Sequence, residues 1–329
     1  MKILLIGTGT WGLALANLLV GNKHEVYAYS PIKDEIKYLN ETRYNKNLDT
    51  KLSEDIKFVD DYKNIIGECE VVVYASPSVF IRKQVEDSKP YIKNQVVVNV
   101  AKGIEKDTLL TMSEVIGEVL NRDDVVTLSG PTHAEEVVKG LPTTIVSCCK
   151  KEENAKLVQD AFMNNFFRVY TNDDNLGVEI CGALKNIIAL ACGISDGMGF
   201  GDNAKAALLT RGMFEMKKLG LKMGCKENTF YGLAGIGDMI VTGTSKHSRN
   251  NKCGYYLGQG LSVEEAIKKV NMTVEGINAL PAAVELEKKY DVELPIVNAV
   301  NGIVNGEIKI KDVLDGLMLR DKKDENYIK

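Results

Sequence analysis

Three cations and one acid in this chain of 329 residues stand where they could do chemistry. Lys185 lies in the middle of GVEICGALKNIIALACG, where apolar residues cover nearly every face of a helix. A lysine head group in such an interior costs several kcal/mol unless it finds partners or loses its proton. Two readings stay open. Lys185 and Asn186 form a narrow polar stripe that snorkels to water, or Lys185 is tuned for acid–base work. Lys102 follows the apolar run Val96–Val100, either as a solvated loop lysine or as a cation at a strand end. Asp238 comes after Gly232, Gly235 and Gly237 and reads as a cap or an orienting carboxylate. Arg249, between Ser248 and Asn250, offers a fixed fork of donors suited to phosphate. Read bare, the triplet is also an ordinary surface turn.

A second constellation opens the chain. The apolar run Lys2–Ile6 meets GTGTWG, which places Gly7, Gly9 and Gly12 in GxGxxG spacing. A helix over Leu13–Val20 and a strand over Glu25–Tyr29 complete a βαβ unit of about 30 residues, the context in which this motif is strong. Gly7 permits the tight turn, Gly9 lets backbone approach a pyrophosphate, and Gly12 lets the helix pack on the strand. The helix N-terminus supplies free N–H groups to the anion. The acid that usually meets a ribose 2′-hydroxyl at the end of the second strand is replaced by Ser30, with Asp34 and Glu35 the nearest acids. A missing carboxylate removes the repulsion toward a 2′-phosphate, and Ser30 and Lys33 could accept one. The cofactor preference therefore leans slightly to NADP over NAD.

The elements that must hold these residues follow from periodicity. Strand-like runs at Val71–Ala75, Val96–Val100 and Val125–Leu128 end in Ser76-Pro77-Ser78, Ala101-Lys102-Gly103 and Ser129-Gly130-Pro131-Thr132. In an open parallel sheet these carboxyl ends are where ligands bind. Pro131 suits the first turn of a helix over Thr132–Lys139. A strand over Thr143–Cys149 and a helix over Lys151–Phe162 follow. Past residue 176 nearly everything has helical period. Val178–Ala191 predicts a buried helix that yields to a loop through Gly193, Gly197, Gly199 and Gly201. Asp202 or Asn203 then caps a second helix that stops at Gly220. The fold expected is α/β: a Rossmann-type doubly wound sheet over 1–176, then a mostly α-helical substrate-binding and catalytic domain over 177–329. The charged residues 320–329 are expected to fray.

Composition narrows the function. The formal net charge of −4 leaves no basic footprint for nucleic acid. The seven cysteines show no CxxC spacing, and the three histidines are far apart, so neither a disulfide framework nor a metal site is expected. The apolar start is too short for a signal core, and no segment is read as reaching the length of a membrane span. The expectation is a cytoplasmic protein.

Six stretches together resemble the bacterial NAD(P)-dependent glycerol-3-phosphate dehydrogenases: GTGTWGLALA (7–16), AKGIE (101–105), LSGPTHAEEV (128–137), the run from Gly177 to Gly212, GLAGIGDMIVTGTSKHSRN (232–250) and VEGINA (274–279). The resemblance runs almost end to end. It implies reversible hydride transfer between C2 of sn-glycerol 3-phosphate and NAD(P)+, running toward reduction of dihydroxyacetone phosphate for glycerophospholipid synthesis. It makes Lys185, Lys102 and Asp238 catalytic. It gives Gly130, Thr132, Ser248, Arg249 and Asn250 to the substrate along with those three. Gly7, Gly9, Thr10, Trp11, Gly12, Ser30, Lys102, Ala134, Arg249, Thr273 and Glu275 go to the cofactor. Ser30 stands where a basic residue or histidine often binds the 2′-phosphate in the family. A homodimer is left open. The competing readings are a hydroxy acid or ketopantoate reductase, in which Arg249 binds a carboxylate, and a non-catalytic nicotinamide-binding sensor.

Overall fold

The computed structural model describes residues 1–325. They form two compact units. One is Met1–Lys102 with Met112–Asn175; the other is Gly103–Thr111 with the chain from Leu176 onward.

The first unit is built on an eight-stranded sheet. Its strands are β1 (Lys2–Ile6), β2 (Glu25–Tyr29), β5 (Lys57–Val59), β6 (Val71–Tyr74), β7 (Val96–Asn99), β8 (Val126–Ser129), β9 (Thr143–Cys148) and β10 (Phe167–Asn172). A separate ladder pairs β3 (Tyr44–Asn45) with β4 (Thr50–Lys51). The sheet order is β10-β9-β8-β7-β6-β1-β2-β5. Helices α1 (Thr10–Gly21), α2 (Lys33–Thr42), α3 (Ile81–Ser88), α4 (Met112–Leu120), α5 (Ala134–Val137) and α6 (Glu152–Phe162) accompany it. The central strands are apolar without alternation because helices cover both faces: every residue of Val71–Tyr74 is buried. Ile6 pairs with both Tyr29 and Tyr74, and Tyr74 pairs with Asn99. Four strands therefore end level, and the loops that begin at Gly7, Ser30, Ala75 and Val100 leave the same edge of the sheet.

The sheet is parallel except at one pairing, where β9 runs antiparallel to β8. The connection between them carries only the four-residue α5, which turns the chain back beside β8 rather than across the sheet. One expectation for this unit needs correction, the helix expected over Thr132–Lys139. That helix spans Ala134–Val137, so Pro131 and Thr132 lie outside it. His133 is extended at the cap position, so the helix starts only at Ala134.

The second unit contains α7 (Asn175–Gly197), α8 (Gly201–Lys222), α9 (Glu227–Phe230), α10 (Asp238–Thr244), α11 (Arg249–Gly258), α12 (Val263–Val270), α13 (Glu275–Tyr290), α14 (Pro295–Val304) and α15 (Val313–Met318). Residues 177–195 of α7 are all buried, so it is the axis of this unit's core. The helix does not break at Gly193. A Cβ there would lie 2.0 Å from the backbone oxygen of Asn251, and one at Gly197 would lie 2.3 Å from that of Tyr255. These glycines let α11 cross α7 backbone to backbone; they are packing positions, not a loop. The expected side-chain cap on α8 is also absent: the helix begins at Gly201, with Phe200 at the cap position. Gly220 lies inside α8 and is buried under the Phe230 ring.

At 23 residues and mean hydropathy 1.6, α7 does reach the length and composition of a membrane span, contrary to the expectation above. The whole of its apolar window is buried inside the protein, so the apolarity has a packing cause. The C-terminal residues also depart from expectation. Arg320 and Lys323 both pair with Glu293, and Arg211 Nη1 donates to the backbone oxygen of Glu325. Residues 326–329 of the expected frayed end lie outside the described residues. All seven cysteines are buried free thiols. Among the described residues no three His, Cys, Asp or Glu side chains cluster as metal ligands would.

Candidate active site

In the first unit the glycine turn has the geometry its spacing requires. Gly7 has φ +123° and donates its N–H to Tyr29 O at 2.9 Å. A Cβ at Gly7 would lie 2.7 Å from Ala75 O, and one at Gly12 would lie 2.3 Å from Gly7 O. Turn and packing thus fix both residues. Gly9 differs: a Cβ there would meet nothing within 4 Å. It caps α1 without a side-chain hydrogen bond, so the N–H groups at Thr10, Trp11 and Gly12 lack intrahelical acceptors. Bare backbone with space beside it at a helix N-terminus fits a dinucleotide's pyrophosphate.

Ser30, at the end of β2, is buried and engaged. Its hydroxyl donates to Glu35 Oε2 at 2.7 Å and accepts from Ile32 N at 3.2 Å. Glu35 lies in the first turn of α2, so the helix brings back the carboxylate that the strand end lacks. At the neighbouring strand ends, Lys102 Nζ donates to Gly130 O at 3.2 Å and Thr132 Oγ1 to the same oxygen at 3.1 Å. Three of the expected residues therefore meet at one carbonyl. Ala134 opens α5.

In the second unit Lys185 does not snorkel. It is 5% exposed and Asp238 is 1% exposed. Lys185 Nζ donates to Asp238 Oδ1 at 2.7 Å and to Thr242 Oγ1 at 2.6 Å. A turn of π-helical pitch, Leu233–Gly237, feeds directly into α10 and sets Asp238 at its first position. Thr242 is one turn later on the same face. Breaking such a pair by removing one partner costs about 3–5 kcal/mol, because the other charge stays buried.

The N-termini of α11 and α13 come together through Asn250. Its Oδ1 accepts from Gly276 N at 2.8 Å, and its Nδ2 donates to Asn186 Oδ1 at 2.9 Å. Asn186 Nδ2 in turn donates to Gly182 O at 3.2 Å. The Asn250 amide thus joins three helices, and Asn186, next to Lys185, locks the rotation of α7. Ser248 is the N-cap of α11 and accepts from Asn251 N at 3.2 Å. Arg249 is the first residue of that helix and half-buried. No hydrogen bond or ion pair engages its guanidinium among the described residues. Glu275 opens α13, where its Oε2 accepts from Asn278 at 3.3 Å, and Thr273 is half-buried just before that helix.

Sequence reasoning overlooked Thr242 and saw Asn186 only as part of a polar stripe. The spacing of Asp238 and Thr242, four residues apart on a short helix after a glycine-rich turn, was the available signal for the first. The second depends on contacts with α11 and α13 that no local pattern carries.

Two family models match the chain. Residues 2–155 match the NAD-dependent glycerol-3-phosphate dehydrogenase N-terminus, and residues 174–315 match the C-terminus of the same family. The chain belongs to the NAD-dependent glycerol-3-phosphate dehydrogenase family. One relative, glycerol-3-phosphate dehydrogenase (NAD(P)+) 2 of Lactobacillus delbrueckii subsp. bulgaricus, is 54% identical over 332 residues, with 98% of each chain covered. The Bacillus subtilis glycerol-3-phosphate dehydrogenase (NAD(P)+) is 46% identical, covering 98% of this chain and 96% of that one. The crystal structure of the Coxiella burnetii glycerol-3-phosphate dehydrogenase superposes with a TM-score of 0.92 at 32% identity, covering 97% of this chain and 99% of the other. The family resemblance seen in the six sequence stretches is thereby established over nearly the whole chain.

Proposed function

We propose that this family member catalyses reversible hydride transfer between C2 of sn-glycerol 3-phosphate and NAD(P)+, working toward reduction of dihydroxyacetone phosphate. The observation that carries the reading is the buried Lys185 held by Asp238 and Thr242. A bound nicotinamide supplies or accepts the hydride. Lys185 Nζ gives a proton to the carbonyl oxygen in the reducing direction and takes the hydroxyl proton in the other. Asp238 and Thr242 hold the amine at a fixed position, so its orientation is set before the substrate arrives. Arg249, half-buried and with no acceptor among the described residues, is the cation for the substrate phosphate, helped by the N-termini of α11 and α13. Phosphate binding far from C2 can then lower the barrier at C2 as well as the KM. Lys102, Gly130 and Thr132 contribute further substrate contacts, and the Gly7–Gly12 turn holds the dinucleotide.

The cofactor preference follows Ser30. A carboxylate hydrogen-bonded to the residue that ends β2 can accept the ribose 2′-hydroxyl and repels a 2′-phosphate. This favours NAD, reversing the lean drawn from the strand end alone. The function is tested with Lys185→Ala and dihydroxyacetone phosphate, followed by nicotinamide absorbance. The variant should lose at least about a hundredfold in kcat while still binding reduced cofactor. A near-normal kcat would remove Lys185 from the chemistry.

A further inference from the structure

The second unit holds a cavity of about 300 Å³ that contains none of Lys185, Asp238 or Thr242. It lies between the last third of α7, the first half of α8, α14 and α15. Its wall is apolar, with Ile194, Met198, Leu208 and Val300 among its residues. At about 30 Å³ per water-sized group, it holds on the order of ten non-hydrogen atoms, and it falls at the small end of ligand pockets.

Among the described residues, the side chains of this wall with hydrogen-bonding capacity left over are able to donate. Ser195, 4% exposed, has a buried hydroxyl with no hydrogen-bond partner among the described residues. A buried hydroxyl left so is unfavourable, and here it does not turn back onto its own helix as serines in helices often do. Arg211 and Arg320 also line the space. Each commits one N–H in the described contacts, to Glu325 O and to Glu293 Oε2 respectively, which leaves further donors on each planar fork. Among the described residues the acid in the wall is Glu215, whose two oxygens accept from the N–H groups of Ile296 and Val297. An apolar space whose free polar groups are a hydroxyl and two guanidiniums calls for a ligand with an apolar body and an anionic, acceptor-only head.

We propose that this cavity is a binding site for a small amphipathic carboxylate, of the size of an eight-carbon fatty acid. The alkyl chain packs against Ile194, Met198, Leu208 and Val300, and the carboxylate takes donors from Arg211, Arg320 and Ser195. A single planar charge matches the guanidinium fork bidentately.

The test is calorimetric titration of the full chain with octanoate, octyl phosphate and 1-octanol. Octanoate should bind saturably and more tightly than either of the others. Arg211→Ala and Arg320→Ala should each weaken octanoate about tenfold or more and leave 1-octanol unchanged. Ala207→Trp, at an exposed position of the lining, should abolish both. The proposal falls if octanoate gives no saturable binding, or if these variants bind it as the wild type does. It also falls if octyl phosphate binds more tightly. Sedimentation supplies the last check. If the wild type is a dimer that Ala207→Trp dissociates, a second copy covers the cavity and the proposal is overturned.

Discussion

Thr242 Oγ1 lies 2.6 Å from Lys185 Nζ and 2.6 Å from the backbone oxygen of Asp238. The second contact accounts for the first. The hydroxyl spends its only proton on the carbonyl one turn back, so a lone pair is left to accept from the amine. The lysine is thereby held between a charged and a neutral acceptor.

Thr242→Val should therefore leave Lys185 with one acceptor fewer and shift its position in a buried site. Hydrogen bonds to charged groups are worth about 1.5–3 kcal/mol, so kcat should fall at least about tenfold. Thr242→Ser keeps the hydroxyl and should retain most of the rate. Steady-state kinetics on both variants, with the melting temperature as a control for folding, decides it. Equal losses in the two would show that the methyl group, not the hydroxyl, matters.

What the sequence made legible was local. Gly7, Gly9 and Gly12 could be read because a βαβ unit closes within about 30 residues and each glycine answers to a neighbour in the same turn. Lys185 stood out because a lysine amid the apolar residues that cover nearly every face of its helix has few explanations. Gly193 and Gly197 were misread for the opposite reason. Glycines in a run suggest a loop, and only the backbone of α11 against them shows why α7 needs them. Ser30 misled in a similar way. The strand end lacks a carboxylate, yet α2 folds Glu35 back onto it. The C-terminal residues looked free because nothing in their own composition announces Glu293, which pairs with two of them.

The Ser30–Glu35 contact makes cofactor choice testable. Glu35→Gln removes the charge and keeps an acceptor near Ser30. The ratio of kcat/KM for NADH over NADPH should drop about tenfold, mainly through better use of NADPH, since a 2′-phosphate no longer meets a carboxylate. An unchanged ratio would mean that the ribose lies away from Glu35.

The crossing of α7 and α11 predicts a stability effect separate from the chemistry. A Cβ at Gly193 would sit 2.0 Å from the backbone oxygen of Asn251, which no side-chain rotation can relieve. Overpacking typically costs about 1–3 kcal/mol and occasionally more. Gly193→Ala should lower the melting temperature by several degrees, whereas Gly21→Ala, where a Cβ meets nothing within 4 Å, should not. Equal melting temperatures for the two variants would mean that the helices separate at little cost.

Glu215 gives stability a pH dependence of unusual sign for a carboxylate. Burial pushes its pKa up to about 8, against the pull of the Ile296 and Val297 N–H groups that favour the charged form. In the unfolded chain the same group titrates near its ordinary value of 4.5. Between those two values the folded protein holds a proton that the unfolded chain has lost. The slope of unfolding free energy against pH is then negative for this group, up to about 1.4 kcal/mol per unit. Its penalty is absent below the unfolded pKa, grows as pH rises, and is complete above the folded one. Glu215→Gln is neutral throughout and cannot pay that penalty. Thermal melts at pH 5 and pH 8 should show the wild type losing more stability across the interval than the variant. The same loss in both proteins would mean that Glu215 is ionised in the fold and balanced by its two N–H partners.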